Sequence, residues 1–193
     1  MEENPVKNHC EMLLIGGSAG SLEVLFKLLP MLDADLPFPL VIVLHRRSSG
    51  DSSLSDLLST KTLIPTREVE DKDPIAATNL YLAPADYHLL IEKKQFFSLD
   101  DSEKINFSRP SIDVTFESAS EIYKSGVVAI LLSGANEDGT KGLLSIKKAG
   151  GRTAAQDPQT AQMQFMPHYA ITHHAVDLIL NIQQMAEFIN QLE

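Results

Sequence analysis

The sequence predicts an α/β fold: a doubly wound, mainly parallel sheet flanked by helices, with a small antiparallel section. Three observations carry that expectation. Residues 12–15, 40–44 and 127–132 are short aliphatic runs without polar alternation, the pattern of strands covered on both faces. Apolar residues at helical spacing follow the first and the last of these runs: Leu22, Leu25, Phe26 and Leu29 after one, Leu143, Leu144 and Ile146 after the other. Strands alternating with helices are how a parallel sheet is wound.

The remaining elements follow in order. Pro30 and Pro37 close the first helix, since proline cannot continue one. After 40–44 a Ser-rich link leads to a shorter helical stretch over 54–58. Residues 79–83 and 88–99 read as strands separated by Pro84, Ala85 and Asp86. A charged turn follows, with Asp100, Asp101 and Glu103 as a hairpin tip, and the antiparallel section is expected there. Residues 112–123 read as a helix with Ser111 as its N-cap. The helix around Leu143 stops at Gly150 and Gly151, residues 152–156 suit a further short strand, and 182–192 suit a closing helix. One domain is expected over residues 10–193, with 1–9 a loose N-terminus.

Composition excludes several classes of function. A chain of 193 residues, 44% hydrophobic and 22% charged, is one ordinary globular domain. Its 26 acidic and 16 basic residues, a net charge of −10, argue against a nucleic-acid partner, because phosphate binding draws on clustered Lys and Arg. The lone Cys10 excludes an internal disulfide framework and a multi-cysteine zinc site, and fits a reducing, cytoplasmic setting. No apolar run is long enough for a signal peptide or a membrane helix, so membrane insertion is not expected.

The chemistry-bearing residues sit where the buried runs end. Gly16-Gly17-Ser18-Ala19-Gly20 after the first run fits G-x-S-x-G, a serine lifted on a sharp strand-to-helix turn whose small neighbours relieve crowding. The helix after it points free N–H groups at the same place, which suits a developing oxyanion. The plainer reading is a glycine-rich turn with Ser18 capping a helix. His45 closes the second run, VIVLH, and Asp138 follows the third in Ser133-Gly134-Ala135-Asn136-Glu137-Asp138-Gly139. Asp138 is also read simply as an N-cap, and His45 as a ring hydrogen-bonded at the sheet edge. Yet in open α/β sheets ligands bind at the carboxyl ends of strands, so the three side chains can meet in one crevice although 27 and 93 positions separate them. Arg46 and Arg47 after the second strand keep an NADP site open, since arginines there accept a 2′-phosphate. His173 and His174 read as a surface pair, His88 and His168 show no partner, and residues 68–73 read as a solvated acidic turn.

In order along the chain, IGGSAGSLEVL, VIVLHRRSSG, NLYLAPADYHLLIE, RPSIDVTFESAS, VVAILLSGANEDGTKGLLSIKKAGG and AAQDPQTAQMQFMPHYAI resemble the catalytic domain of CheB-type protein-glutamate methylesterases, over about residues 12–180. The resemblance implies hydrolysis of glutamyl methyl esters on chemoreceptors with release of methanol, and in many members deamidation of receptor glutamines. It places the family's catalytic serine on Ser18, its histidine on His45 and its aspartate on Asp138, and it implies no metal and no organic cofactor. On that resemblance Ser18 is expected to attack the ester carbonyl, His45 to take its proton, Asp138 to fix the imidazole, and the N–H groups near Ala19 and Ala135 to hold the oxyanion.

Three differences from the family pattern stand out. Ala135 replaces a methionine, Glu137 adds a negative charge that disfavours an oxyanion unless it points to water, and Ser21 replaces a glycine. The family's best-known members also carry an N-terminal receiver domain, for which a first strand near residue 12 leaves no room. Regulation is therefore expected from a partner, such as a separate receiver protein. The alternatives to an esterase are a catalytically weak module of the same fold that binds receptors, and the NADP-binding protein.

Overall fold

The structure is a computed structural model and describes residues 9–46, 53–93 and 95–193. The expected loose N-terminus up to residue 8, Arg47 and most of the Ser-rich link lie outside them.

The first strand, β1 (Met12–Gly17), is buried along its whole length. It leads into α1 (Ser21–Leu28), β2 (Leu40–Leu44), the short α2 (Ser53–Ser59), β3 (Thr66–Glu68) and β4 (Leu80–Leu82). A hairpin of β5 (His88–Glu92) and β6 (Phe96–Asp100) follows, then α3 (Ile112–Tyr123), β7 (Val127–Leu131), α4 (Thr140–Lys148), β8 (Arg152–Gln156), α5 (Phe165–Thr172), β9 (Leu178–Leu180) and α6 (Ile182–Asn190). Seven strands form one sheet in the order β3-β4-β2-β1-β7-β8-β9, and every neighbouring pair is parallel. The hairpin is the antiparallel section, a separate two-stranded sheet.

Period-two alternation of β1 divides the core. Leu13 and Ile15 pack with Leu25, Leu28, Met185 and Ile189, under α1 and α6. Met12 and Leu14 pack on the other face with Ile112, Phe116, Leu143 and Ile146, under α3 and α4. Each such fully buried side chain contributes about 1.5–3 kcal/mol, which is why the apolar runs are continuous rather than alternating. The winding reverses at β1: β2 lies on one side, and β7 arrives on the other after a long excursion through the hairpin and α3. Such a switch point leaves a crevice at the carboxyl ends of the two adjoining strands.

The structure corrects parts of the expected element map. Residues 88–99 fall in two strands, since β5 ends at Glu92 and β6, antiparallel to it, begins at Phe96. Asp100 therefore ends β6, and Asp101 and Glu103 lie in the loop beyond it, so none of the three is a hairpin tip. The strand at 79–83 belongs to the parallel sheet through β4. Strands β3 and β9 and helix α5 are additional elements. Ser111 is the N-cap of α3, as its sequence position suggests, with its hydroxyl accepting from Val114 N–H. No helix among the described residues is long and apolar enough to cross a membrane.

Candidate active site

The ends of β2, β1 and β7 lie side by side, and their ladder runs one step past the strands. Gly17 pairs with Leu44 and Gly16 with Leu131. Beyond them, His45 N–H donates to Gly17 O at 3.1 Å, Leu132 N–H to Gly16 O at 2.8 Å and Ser18 N–H to Ser133 O at 2.9 Å. Ser18 thus sits between the residues that end the two neighbouring strands.

The turn at Ser18 is built from small residues for identifiable reasons. Gly20 has φ of 83°, and a Cβ there would meet Gln162 Cβ and Ser133 Oγ at 2.7 Å, so both backbone conformation and space require glycine. A Cβ at Gly16 would meet Ile112 Cγ2 at 2.6 Å. Ser21 is buried, and its hydroxyl and N–H both donate to Ser18 O. The side chain that replaces a glycine therefore clamps the turn. Ser133 clamps it from the other side: it is fully buried, donates to Ala19 O at 2.7 Å and accepts from Met163 N–H at 2.9 Å. Ser18 is half-buried, and its Oγ enters no hydrogen bond among the described residues.

His45 and Asp138 are in contact: Nε2 of the ring lies 2.6 Å from Oδ2 of the carboxylate. Asp138 is 0% exposed and accepts four further hydrogen bonds, from Ser111 Oγ at 3.0 Å and from the N–H groups of Ile112 at 2.7 Å, Asp113 at 3.0 Å and Gly139 at 3.1 Å. Burial acts to raise its pKa, but the bond from His45, the backbone N–H groups and the positive end of α3 outweigh it and hold the carboxyl below its ordinary range. The plain N-cap reading of Asp138 is corrected here. The N-cap of α4 is Gly139, with φ of 93°, and Asp138 serves α3 instead.

The other expected positions resolve as follows. Ala19 and Ala135 are exposed, and neither N–H is donated to another group among the described residues. Glu137 is exposed to solvent. Arg46 is ion-paired with Glu68 at 2.7 Å, which neutralises the charge that a 2′-phosphate needs. His88 has two partners: its Nδ1 accepts from Ser111 N–H at 3.1 Å and its Nε2 donates to Glu103 O at 2.9 Å. The ring pins the start of α3. His173 and His174 are exposed, and the ring of His173 stacks on Tyr169. His168 is exposed.

Ser111, Asp113 and Ser133 were not singled out for the site. Asp113 is 4% exposed and accepts Gly142 N–H at 2.8 Å and Asn106 Nδ2 at 3.4 Å. Burial, together with the charge of Asp138, pushes its carboxyl up to about 7. Its sequence signal was only an acidic residue in the first turn of a helix, which is ordinary.

The family model of CheB methylesterase matches residues 13–189. The chain is 42% identical over 183 residues to a Leptospira interrogans protein provisionally named a protein-glutamate methylesterase/protein-glutamine glutaminase, covering 95% of both chains. It is 35% identical to the protein-glutamate methylesterase/protein-glutamine glutaminase of Thermotoga maritima, over 94% of this chain and 54% of that one. The crystal structure of the Thermotoga maritima CheB methylesterase catalytic domain superposes with a TM-score of 0.91 at 34% identity, covering 95% of this chain and 99% of that one. A parallel α/β sheet with a polar crevice at its switch point is the class of protein that fold and site define. Within that class the chain belongs to the CheB methylesterase family.

Proposed function

We propose that this protein is a cytoplasmic serine esterase that hydrolyses methyl esters of glutamate side chains on methylated chemoreceptors or related signalling proteins, with Ser18, His45 and Asp138 as its catalytic residues. The observation that carries this reading is the contact between His45 Nε2 and the buried Asp138, at the strand end adjoining Ser18.

The geometry supports specific roles. With Nε2 committed to Asp138, the ring nitrogen left to serve as base is Nδ1. Asp138 keeps the proton on Nε2 and stabilises the imidazolium that forms when Nδ1 accepts the proton of Ser18. The free Ser18 hydroxyl attacks the ester carbonyl, and the carbonyl electron pair moves onto oxygen. The unengaged N–H groups of Ala19 and Ala135 suit that oxyanion, and a donor of this kind is worth about 3–4 kcal/mol. The tetrahedral intermediate then expels methoxide, which takes the proton from His45 and leaves as methanol. Water, deprotonated by the same ring, hydrolyses the acyl-enzyme to the free glutamate. Catalytic hydrogen bonds often tighten only when substrate is bound, in keeping with a Ser18 hydroxyl that is not yet engaged.

The relatives' names include a glutaminase activity. The same acylation with ammonia in place of methanol as the leaving group would deamidate a glutamine, and we include that reaction in the proposal. The reading needs neither metal nor organic cofactor. Control by a separate receiver protein is part of it. The test is release of methanol from radiomethyl-labelled receptor membranes. Wild-type protein is expected to release it and Ser18→Ala is not, and full activity in that variant overturns the assignment.

A further inference from the structure

A cleft of about 310 Å³ opens beside His45 and is lined by Arg46, Asp86, Lys104, Phe107 and Arg109. The loop that forms one wall is unusual in shape. Ile105 and Ser108 exchange backbone hydrogen bonds of 3.2 and 2.9 Å. Between them Asn106 and Phe107 have φ of 49° and 62°. This is a two-residue hairpin turn with both central residues left-handed. Asparagine suits that conformation, whereas a bulky aromatic residue there is an outlier. Phe107 is nonetheless 99% exposed, its ring offered to solvent at the rim of the cleft. The tip is tied to the site, because Asn136 Nδ2 donates to Asn106 O at 3.5 Å and Asn106 Nδ2 donates to Asp113.

The charges of the wall run against those of the chain, whose net charge is −10. Glu68 neutralises Arg46, and Asp86 is the cleft's own carboxylate. Arg109 donates its guanidinium to the backbone carbonyls of Asp101 and Ser102 and forms no direct ion pair among the described residues, though its charge helps to hold the Asp100 carboxyl below its ordinary range. Lys104 is exposed and forms no ion pair among the described residues. The Nε–H of each arginine is buried and has no acceptor among the described residues, so what the wall offers outward is the Lys104 ammonium and the charge of Arg109. Lys104 and Arg109 beside an exposed aromatic ring fit a protein segment carrying carboxylates and an apolar residue.

We propose that this cleft recognises free carboxylates that flank the ester on the same segment, so that an ester next to an already hydrolysed glutamate is the better substrate. The inference rests on the esterase reading above and adds an order to it. A neutral methyl ester offers Lys104 and Arg109 nothing to pair with, but each turnover converts one into a carboxylate. Every product thereby becomes a flanking residue for the next ester.

The test uses three helical peptides, each with one reporter glutamyl methyl ester. The flanking positions carry free Glu, Gln or methyl-esterified Glu. The expected result is a kcat/KM about fivefold higher with free Glu than with either neutral flank, the size of effect that solvent-exposed ion pairs produce, and one that shrinks as salt rises. In Lys104→Glu that preference is expected to vanish or invert. In Phe107→Ser, kcat/KM is expected to fall for all three peptides through KM, with the preference for free Glu retained. Equal rates on the three peptides with hydrolysis intact, or a preference that survives Lys104→Glu, overturn this inference alone. If no peptide shows hydrolysis that Ser18→Ala abolishes, the esterase reading falls and this inference falls with it.

Discussion

Asp138 and Asp113 cap each other's helices. Asp138, in the loop before α4, accepts the first N–H groups of α3, and Asp113, in the first turn of α3, accepts Gly142 N–H at the start of α4. The N-cap of α4 is a glycine without a side chain, so Asp113 supplies the acceptor that this helix lacks. The carboxylate that holds His45 is thus built into the packing of two helices, and its position does not depend on a loop alone.

The exchange has a pH signature. Asp113 titrates at about 7, above the value of about 3.9 for an unfolded aspartate. The folded state therefore binds this proton more tightly than the unfolded state does. The stabilisation is complete below about pH 4 and is lost as pH rises through about 7. Asp138 has the opposite sign, with stability lost as pH falls below its ordinary range, so the two windows do not overlap. Asp113→Asn keeps an acceptor for Gly142 and removes the titration. Thermal melts from pH 5 to pH 8 should show the variant gaining on the wild type as pH rises. A difference that stays constant across that range would count against the assignment.

Asp138→Asn separates charge from geometry. The amide oxygen can still accept backbone N–H groups, so the protein should fold with a lowered Tm. The ring of His45 loses the partner that holds its tautomer and balances its charge. On the scale of comparable triads, kcat for ester hydrolysis is expected to fall about 10⁴-fold. A loss of less than about tenfold would remove Asp138 from the mechanism.

Gly20→Ala should damage the turn that presents Ser18. A side chain at φ of 83° is strained, and its Cβ meets Ser133 Oγ and Gln162 Cβ at 2.7 Å. The left-handed conformation alone costs about 1–2 kcal/mol, and the crowding adds to it. Urea denaturation measures the loss. An unchanged midpoint would show that the turn can relax.

The single thiol should be inert in the native state. Cys10 is buried, and burial pushes its pKa up to about 12, so almost no thiolate exists at neutral pH. Ellman's reagent is expected to react on the timescale of unfolding in buffer and at once in denaturant. Immediate reaction in buffer would contradict the buried position.

The parts of the fold that were legible in the sequence are those where burial is two-sided. The runs at β1, β2 and β7 could be read because a strand covered on both faces must be apolar throughout. Strands β3 and β9 could not be, since three-residue edge strands with half-exposed or exposed side chains carry no such pattern. Helix α5 was hidden because Pro167 lies in its first turn and Phe165 faces solvent. The hairpin tip was misplaced because both the true turn and the loop after β6 are polar and charged.

In the site, Ser18 and His45 directly follow buried strands and Asp138 lies in the loop that leaves a third, so their positions could be read locally. Ser133, Ser111 and Asp113 act through partners that only the fold supplies. Ser133 bonds to Ala19 across 114 positions, and Asp113 to Gly142 across 29. The cationic cleft was invisible for the same reason, since Arg46 and Arg109 come together only when the loop after β6 folds over the end of β2.

The most direct measurement is labelling of Ser18 by a fluorophosphonate, read by mass spectrometry of the modified peptide. The reagent reacts with a serine whose proton is removed by a neighbouring base. Stoichiometric modification at Ser18 in the wild type, lost in His45→Ala and strongly slowed in Asp138→Asn, is the expected result. No modification of Ser18, or modification at an unchanged rate in His45→Ala, would contradict its role as a nucleophile activated by this histidine.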